Sequence, residues 1–162
     1  MAELGRVVLN FSAVDFCAER LLAGFLSSDP LTGLVTVTAE NTSWKLDKLS
    51  VISKEILPES EHRAELRHWL AGAKLLNRER NLIMHSVWGP GADSQTLVMM
   101  KASARNGEWK GNAKPADLAY LKGVADALAS AVELAHQLVE KLGRSCPEWH
   151  GRKSLGPPGP TL

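Results

Sequence analysis

Apolar residues recur every three or four positions through most of this chain, a periodicity typical of amphipathic helices. It predicts a first helix over residues 3–27 and a second over 42–57. Ser60 can cap a third helix that ends near Gly89, and we expect the last helix to run from about Pro115 to 142. Because each helix must bury its apolar stripe against another, the predicted fold class is mainly α, a four-to-five-helix antiparallel bundle.

Two segments interrupt the helical periodicity. Turn-forming residues over 27–33 end the first helix, and the weak alternation from Leu34 to Thr38 is compatible with a short extended piece. An apolar run over 95–101, the turn dipeptide at 106–107 and residues 108–110 together predict a β-hairpin. The bundle is therefore expected to carry a small hairpin inserted before its last long helix.

The length of the chain, 162 residues, corresponds to one domain of ordinary size. We predict that the helical bundle occupies residues 1–143. The segment 144–162 is predicted to be a disordered C-terminal tail, because the glycines and prolines over 156–160 cannot pack into a core.

The charge balance limits the function classes open to this chain. Nineteen Lys and Arg residues against eighteen Asp and Glu residues give a net charge of +1, which excludes a histone-like polyanion binder. Any contact with nucleic acid must then come from a local patch, and the linear sequence reveals no obvious arginine-rich groove. Cys17 and Cys146 are too far apart in sequence to suggest a metal-ligand pair, so no metal or other cofactor is predicted.

The expected location is cytoplasmic. Two isolated cysteines suggest a reducing compartment. The first residues carry charge early and lack the apolar stretch of a signal peptide. No apolar run approaches the roughly 18 residues of a membrane span, so no membrane partner is expected.

Polar and charged residues interrupt the apolar stripe near the end of the third predicted helix. At about 100° per residue, Arg80 falls near the middle of that stripe rather than on its edge. A guanidinium is costly to bury unless it is paired or faces a cavity. Asn77 and Asn81 flank Arg80, while Arg78 and His85 share one side of the helix. These two arginines, two amides and one imidazole form the candidate site.

The first helix contains a matching feature. Asp15 lies on the buried stripe, and a buried carboxylate needs a cationic partner. Arg80 is the nearest cation left unexplained by the pattern. A purely structural Asp15–Arg80 ion pair between two helices is therefore an alternative to any catalytic role.

Residues 80–85 (Arg-Asn-Leu-Ile-Met-His) resemble the signature of the HEPN superfamily, in which a polar residue follows an arginine and a histidine comes four to six positions after it. The resemblance covers residues 4–142 in helix layout. It implies an all-α, frequently dimeric bundle, and many members are metal-independent endoribonucleases in toxin–antitoxin and phage-defence systems. Their two motif copies commonly meet across a dimer interface. It therefore implies a homodimer that cleaves RNA, with an antitoxin or other protein as a possible partner.

The residue types suit RNA cleavage without a metal, in which the 2′-hydroxyl of the substrate acts as the nucleophile. An imidazole has an ordinary pKa of about 6.5 and can accept or donate the required proton. A guanidinium offers two parallel donors to the charge that gathers on phosphorus oxygens. The resemblance thus implies His85 as general acid/base and Arg80 as transition-state stabiliser, with Asn81, Arg78, Asn77 and Asp15 in support.

A second hypothesis is a catalytically inactive HEPN-like bundle that binds a protein or a nucleic acid, and an unrelated helical protein remains the third. HEPN proteins paired with a nucleotidyltransferase antitoxin often carry a tyrosine two positions after the histidine. Here that position is Val87, so this regulatory pairing is not predicted. Leu75 and Leu82 lie away from the main stripe and are expected to form an apolar surface for a partner.

The tryptophans admit simpler explanations than ligand binding. Trp69 lies on the buried stripe and is predicted to belong to the core. Trp88 and Trp109 are predicted either to pack the hairpin onto the bundle or to stack on bases near the candidate site.

Overall fold

A computed structural model of the chain describes residues 2–91, 97–105, 108–147 and 149–150. Within them, five helices and three strands follow the order α1 (Ala2–Leu26), α2 (Pro30–Thr38), α3 (Thr42–Ile56), α4 (Glu61–His85), β1 (Val87–Pro90), β2 (Leu97–Arg105), β3 (Glu108–Ala116) and α5 (Leu118–Ser145). The predicted fold class is confirmed, since this is a helical bundle with a small antiparallel sheet before the last long helix.

Four of the helices begin at capping side chains. Ser60, predicted as a cap, accepts a hydrogen bond from the Arg63 amide at 3.3 Å. Asp29, Asn41 and Asp117 do the same at the starts of α2, α3 and α5. Each cap satisfies one backbone donor that the first helical turn leaves without a partner.

The segment from Leu34 to Thr38 is helical, so the prediction of an extended piece there is wrong. Asp29 caps α2 and Pro30 occupies its first position, where the missing amide hydrogen costs nothing. Gly33 does not break the helix. It lies against α1 so closely that a β-carbon built on it would stand 2.7 Å from the Ala23 carbonyl oxygen.

The sheet is larger than the predicted hairpin. Its strand order is β1-β2-β3, with Val87 opposite Met100 and Pro90 opposite Leu97. Consequently α4 ends at His85, before the predicted stop near Gly89, because the chain turns extended at Ser86 and pairs with β2. The predicted hairpin turn at 106–107 lies outside the described residues.

The last helix starts three residues later than predicted. Pro115 pairs with Val98 as part of β3, and Asp117 caps the helix that follows. β3 is an edge strand, where a residue without an amide hydrogen is tolerated.

The core lies around α1, which packs against all four other helices. Trp69 is buried there, as predicted, and its indole nitrogen donates to the Ala131 carbonyl oxygen at 2.8 Å.

The chain stays packed on the bundle beyond residue 143, where a disordered tail was predicted. The indole nitrogen of Trp149 donates to the Leu21 carbonyl oxygen at 3.1 Å, and the His150 amide donates to Gly24 at 2.7 Å. Trp149 is buried, so the described residues at this end of the chain include part of the core. Residues 151–162 lie outside the described part.

No helix in the described part of the chain is long and apolar enough to cross a bilayer.

Candidate functional site

Arg80 is held by two neighbours. Its guanidinium carbon lies 4.6 Å from the centroid of the Phe11 ring on α1, within the range of a cation–π contact. Its Nη1 donates to the Asn81 side-chain oxygen at 2.9 Å. The Nε atom is buried and has no hydrogen-bond partner among the described residues, so part of the donor capacity of this half-buried arginine is unused.

A chain of side-chain hydrogen bonds connects Asn81 to Asn77 and then to Ser43. The Asn81 side-chain nitrogen donates to the Asn77 oxygen at 3.4 Å, and the Asn77 nitrogen donates to the Ser43 hydroxyl oxygen at 2.9 Å. Asn77 is buried, so its amide needs these partners. The network ties the motif on α4 to the start of α3.

His85 is the last residue of α4 and is exposed. It makes no hydrogen bond or ion pair with the residues that the structure describes. Five positions along a helix place Arg80 and His85 about 140° apart around its axis. Within one chain, therefore, Arg80 is directed toward α1 and His85 toward a different side. Arg78 is exposed and lies within about 20° of His85 around the axis.

Asp15 pairs with Lys45, so the expected Asp15–Arg80 ion pair is wrong. The Lys45 ammonium donates to Asp15 at 3.0 Å and to Glu19 at 2.9 Å, and its side chain is only 2% exposed. Burial opposes the charge, but the hydrogen bonds to Glu19 and Asp15 outweigh it and raise the pKa of Lys45. Thr38 donates to the other oxygen of Glu19 at 2.6 Å. This cluster joins α1, α2 and α3, and none of these hydrogen bonds or ion pairs involves Arg80.

Glu79, beside the motif, belongs to a second polar cluster. The Tyr120 hydroxyl donates to it, and the Lys114 ammonium lies 3.3 Å from the same oxygen. The hydrogen bond from Tyr120, despite partial burial and together with Lys114, lowers the pKa of Glu79. Burial and the Glu79 carboxylate raise the pKa of Tyr120. These contacts fasten α4 to α5 and to the end of β3.

The expected partner surface is present only in part. Leu75 is 54% exposed, whereas Leu82 is half-buried against the core. Trp88 is also half-buried, and its indole nitrogen donates to the Ile83 carbonyl oxygen at 3.1 Å, which favours the packing role. The Trp109 side chain lies outside the described part.

Two cavities flank α4, and neither is lined by Arg80 or His85. One, of about 320 Å³, lies between α4 and α5 and is mainly apolar; its lining residues are Ala64, Glu65, His68, Trp69, Leu134, Gln137, Leu138 and Lys141. The other, of about 520 Å³, lies between α3 and α4; its lining residues are Ser50, Ser53, Lys54, Glu59, Arg63, Arg67, Leu70, Ala71 and Lys74.

Sequence reasoning missed the partners that the structure gives Arg80, Asn77 and Asp15, and it missed the cluster of Glu79, Tyr120 and Lys114. Phe11 falls on the apolar stripe of α1, which does not reveal its contact with Arg80, and Ser43 gave no signal. Lys45 was detectable, because it is four residues before Leu49 and so falls on the apolar stripe of α3.

Among the described residues, no group of three or more His, Cys, Asp or Glu side chains is arranged to hold a metal ion. Comparison with protein-family models, curated proteins and solved structures finds no match to this chain.

Proposed function

We propose that this chain is a HEPN-like, metal-independent endoribonuclease that acts as a homodimer. The observation that carries the proposal is the position of Arg80, which is half-buried, held by Asn81 and by the Phe11 ring, and left with guanidinium donors that no described residue accepts from. A guanidinium fixed in this way suits a phosphate group, because its remaining donors need no reorganisation before they bind.

In the proposed reaction, the 2′-hydroxyl oxygen attacks the adjacent phosphorus and the bond to the 5′-oxygen breaks. His85 performs one of the two proton transfers, from the 2′-hydroxyl or to the leaving 5′-oxygen, and solvent water performs the other. Arg80 stabilises the charge on the phosphorane oxygens. The products are a 2′,3′-cyclic phosphate and a 5′-hydroxyl end.

A second copy of the chain is part of the proposal. Since Arg80 and His85 diverge around α4, a shared site requires Arg80 of one protomer to face His85 of another. The proposed setting is a cytoplasmic toxin or defence system, in which an antitoxin or other protein partner would control the activity.

The alternative function, a catalytically silent binding module, is favoured by one observation. Leu31 and Val35 on α2 are 70% and 71% exposed, which is unusual for two apolar side chains one helical turn apart. Such a surface suits a protein partner and requires no catalysis.

Incubation with mixed RNA in the presence of EDTA tests the proposal. The wild type should release fragments ending in a cyclic phosphate, and His85→Ala and Arg80→Ala should not. His136→Ala, which removes an exposed histidine from α5, is the matched control and should cleave normally. If the wild type leaves all RNA intact, the endoribonuclease proposal fails and the binding module is preferred.

Mixing the two inactive variants tests the shared site. A mixed dimer of Arg80→Ala and His85→Ala retains one site with both functional side chains, so activity should return on mixing. If each protomer supplied a complete site of its own, the mixture would stay inactive. Sedimentation of the wild type gives the oligomeric state independently of activity.

A further inference from the structure

The charged residues of α4 lie on two separate faces. At 100° per residue, its three carboxylates Glu61, Glu65 and Glu79 fall within an arc of about 40°. On the other side of the buried stripe, an arc of about 60° contains six residues of the helix, and all of them are polar or basic: Arg63, Arg67, Lys74, Arg78, Asn81 and His85. We call the four Lys and Arg residues of this set the basic stripe.

The acidic face is neutralised by other elements. Glu65 pairs with Lys141 on α5, and Glu79 contacts Tyr120 and Lys114. These contacts pack α4 onto α5 and β3, so Glu65 and Glu79 have a structural explanation.

The basic stripe is compensated less completely. Arg63, whose side chain is only 17% exposed, pairs with Glu59 at 3.0 Å and donates to the Leu57 carbonyl oxygen at 3.2 Å, so it is partly engaged within the chain. Lys74 pairs with the exposed carboxylate of Asp47 at 2.7 Å, and a surface pair of this kind contributes little to stability. Arg67 and Arg78 are exposed and form no hydrogen bond or close ion pair with the described residues. Positive charge therefore remains available along this face, although the whole chain carries only +1.

The cleft between α3 and α4 extends the stripe. It has a volume of about 520 Å³, and four cations line it against the single carboxylate of Glu59. Lys54 comes from α3 and is exposed, and Ser50 and Ser53 supply hydroxyl groups. Cations and hydroxyls are the side chains that contact nucleic-acid phosphates most often.

We propose that the basic stripe and the α3–α4 cleft bind the sugar–phosphate backbone of single-stranded RNA and lead it toward His85. The inference rests on the proposed function and adds the path that the substrate takes. At 1.5 Å per residue, the row from Arg63 to His85 is about 33 Å long, so it spans several phosphates.

The residues of the arc favour a phosphate chain over an acidic protein. The centre of a protein–protein interface is enriched in aromatic and apolar side chains and depleted of lysine. On α4, which the structure describes throughout, the six residues of the arc include no apolar side chain.

The test measures binding separately from cleavage. A fluorescent single-stranded RNA of mixed sequence is titrated with the full-length His85→Ala chain, which should not consume it, and anisotropy is recorded over a range of salt concentrations. In the same background, Lys54→Gln with Arg67→Gln removes two cleft cations that form no ion pair with described residues. Lys122→Gln with Arg144→Gln removes the same charge from the exposed face of α5, where Arg144 pairs with Glu140 on the same helix at 3.2 Å, and is the charge-matched control.

The cleft variant should raise the dissociation constant for RNA about tenfold or more, while the control stays within about twofold. Each lost phosphate contact lowers the salt slope for single strands by about 0.7, so the cleft variant should lose about 1.4 from that slope. Equal binding by cleft variant and control would overturn the proposed path, even if the wild type cleaves RNA.

Two competitors identify what is bound. Inorganic phosphate or a mononucleotide should displace the RNA only at far higher concentration, because each offers one phosphate group. Displacement at similar concentration would overturn the backbone path. A polyglutamate peptide of equal charge should also compete poorly, and binding as tight as that of RNA would assign the stripe to an acidic protein instead. If the stripe binds RNA as expected and the wild type never cleaves it, the endoribonuclease proposal fails while the binding surface stands.

Discussion

The guanidinium carbon of Arg80 lies 4.6 Å from the centroid of the Phe11 ring, so the motif on α4 is supported by α1. We expect Phe11→Leu to lower the free energy of unfolding by about 1–2 kcal/mol through lost packing and the lost cation–π contact. RNA cleavage should also fall, because Arg80 loses one of its two supports. Urea unfolding and initial cleavage rates measure the two effects.

Phe25→Leu is the control for that variant, since Phe25 is buried to a similar degree on the same helix. It should lose comparable stability and keep its cleavage rate. Equal loss of activity in both variants would mean that Phe11 acts through stability alone.

Asn77 and Ser43 are expected to be energetically coupled. The hydrogen bond between them measures 2.9 Å, and truncation of either leaves the buried amide of Asn77 or its partner without that contact. Asn77→Ala should cost about 1–3 kcal/mol of stability. In a double-mutant cycle with Ser43→Ala, the coupling energy should be about 0.5–1.5 kcal/mol. Strict additivity would show that the amide chain does not hold the motif.

Lys45 is a buried charge, and its removal should strongly lower the free energy of unfolding. Lys45→Met leaves Asp15 and Glu19 without their cation, and breaking a buried pair in this way typically costs about 3–5 kcal/mol. The triple variant Lys45→Met, Asp15→Asn, Glu19→Gln should recover much of this loss, because it leaves no buried charge without a partner. A single variant as stable as the wild type in urea would contradict the assignment.

The raised pKa of Lys45 also determines the direction in which stability changes with pH. Its stabilising effect is fully present below the ordinary lysine pKa of about 10.4 and is lost as the pH rises through the higher folded value. In strong alkali, the free energy of unfolding of the wild type should therefore fall more steeply with pH than that of the triple variant.

The role of a residue could be predicted from the sequence where its partners lie in the same helix, and could not where they lie in another helix. Ser60 and Trp69 were assigned correctly, because a helix cap and a core position are set by residues within the same helix. Leu34 to Thr38 was not, because the residues around Asp29, Pro30 and Gly33 were interpreted as a break, whereas Asp29 and Pro30 begin a helix and Gly33 fits closely against Ala23. Asp15 was matched to the wrong cation, since tertiary contacts choose between Arg80 and Lys45.

The candidate site was predictable to the same extent. Asn77, Arg80 and Asn81 share one network, as their spacing on one helix suggests, while the Phe11 contact crosses to another. The basic stripe was within reach of sequence reasoning, because it follows from placing the charges of α4 on a wheel. The cleft that extends it toward Lys54 required the packing of α3 against α4.

Tyr120 is the single tyrosine of the chain, so its titration can be followed without ambiguity. Burial, followed by the contact with Glu79, raises the pKa of Tyr120. The native phenol should therefore ionise at higher pH than in denaturant, where its pKa is about 10. Its contribution to stability is present below that value and is lost as the pH rises through the folded pKa. Glu79→Gln should shift the native titration to lower pH, as measured by phenolate absorbance. Identical midpoints for folded and unfolded chains would contradict the contact.

Gly33 and Gly72 should respond oppositely to the same substitution. A β-carbon at Gly33 would stand 2.7 Å from the Ala23 carbonyl oxygen, and backbone cannot move aside cheaply, so Gly33→Ala should cost about 1–3 kcal/mol through forced separation of α1 and α2. Gly72 lies on the exposed face of α4 with nothing within 4 Å of a built β-carbon, so Gly72→Ala should stabilise the chain by about 0.5–1 kcal/mol. Thermal unfolding of the two variants beside the wild type measures both shifts. A stabilised Gly33→Ala variant would mean that α2 does not lie against α1 at Ala23.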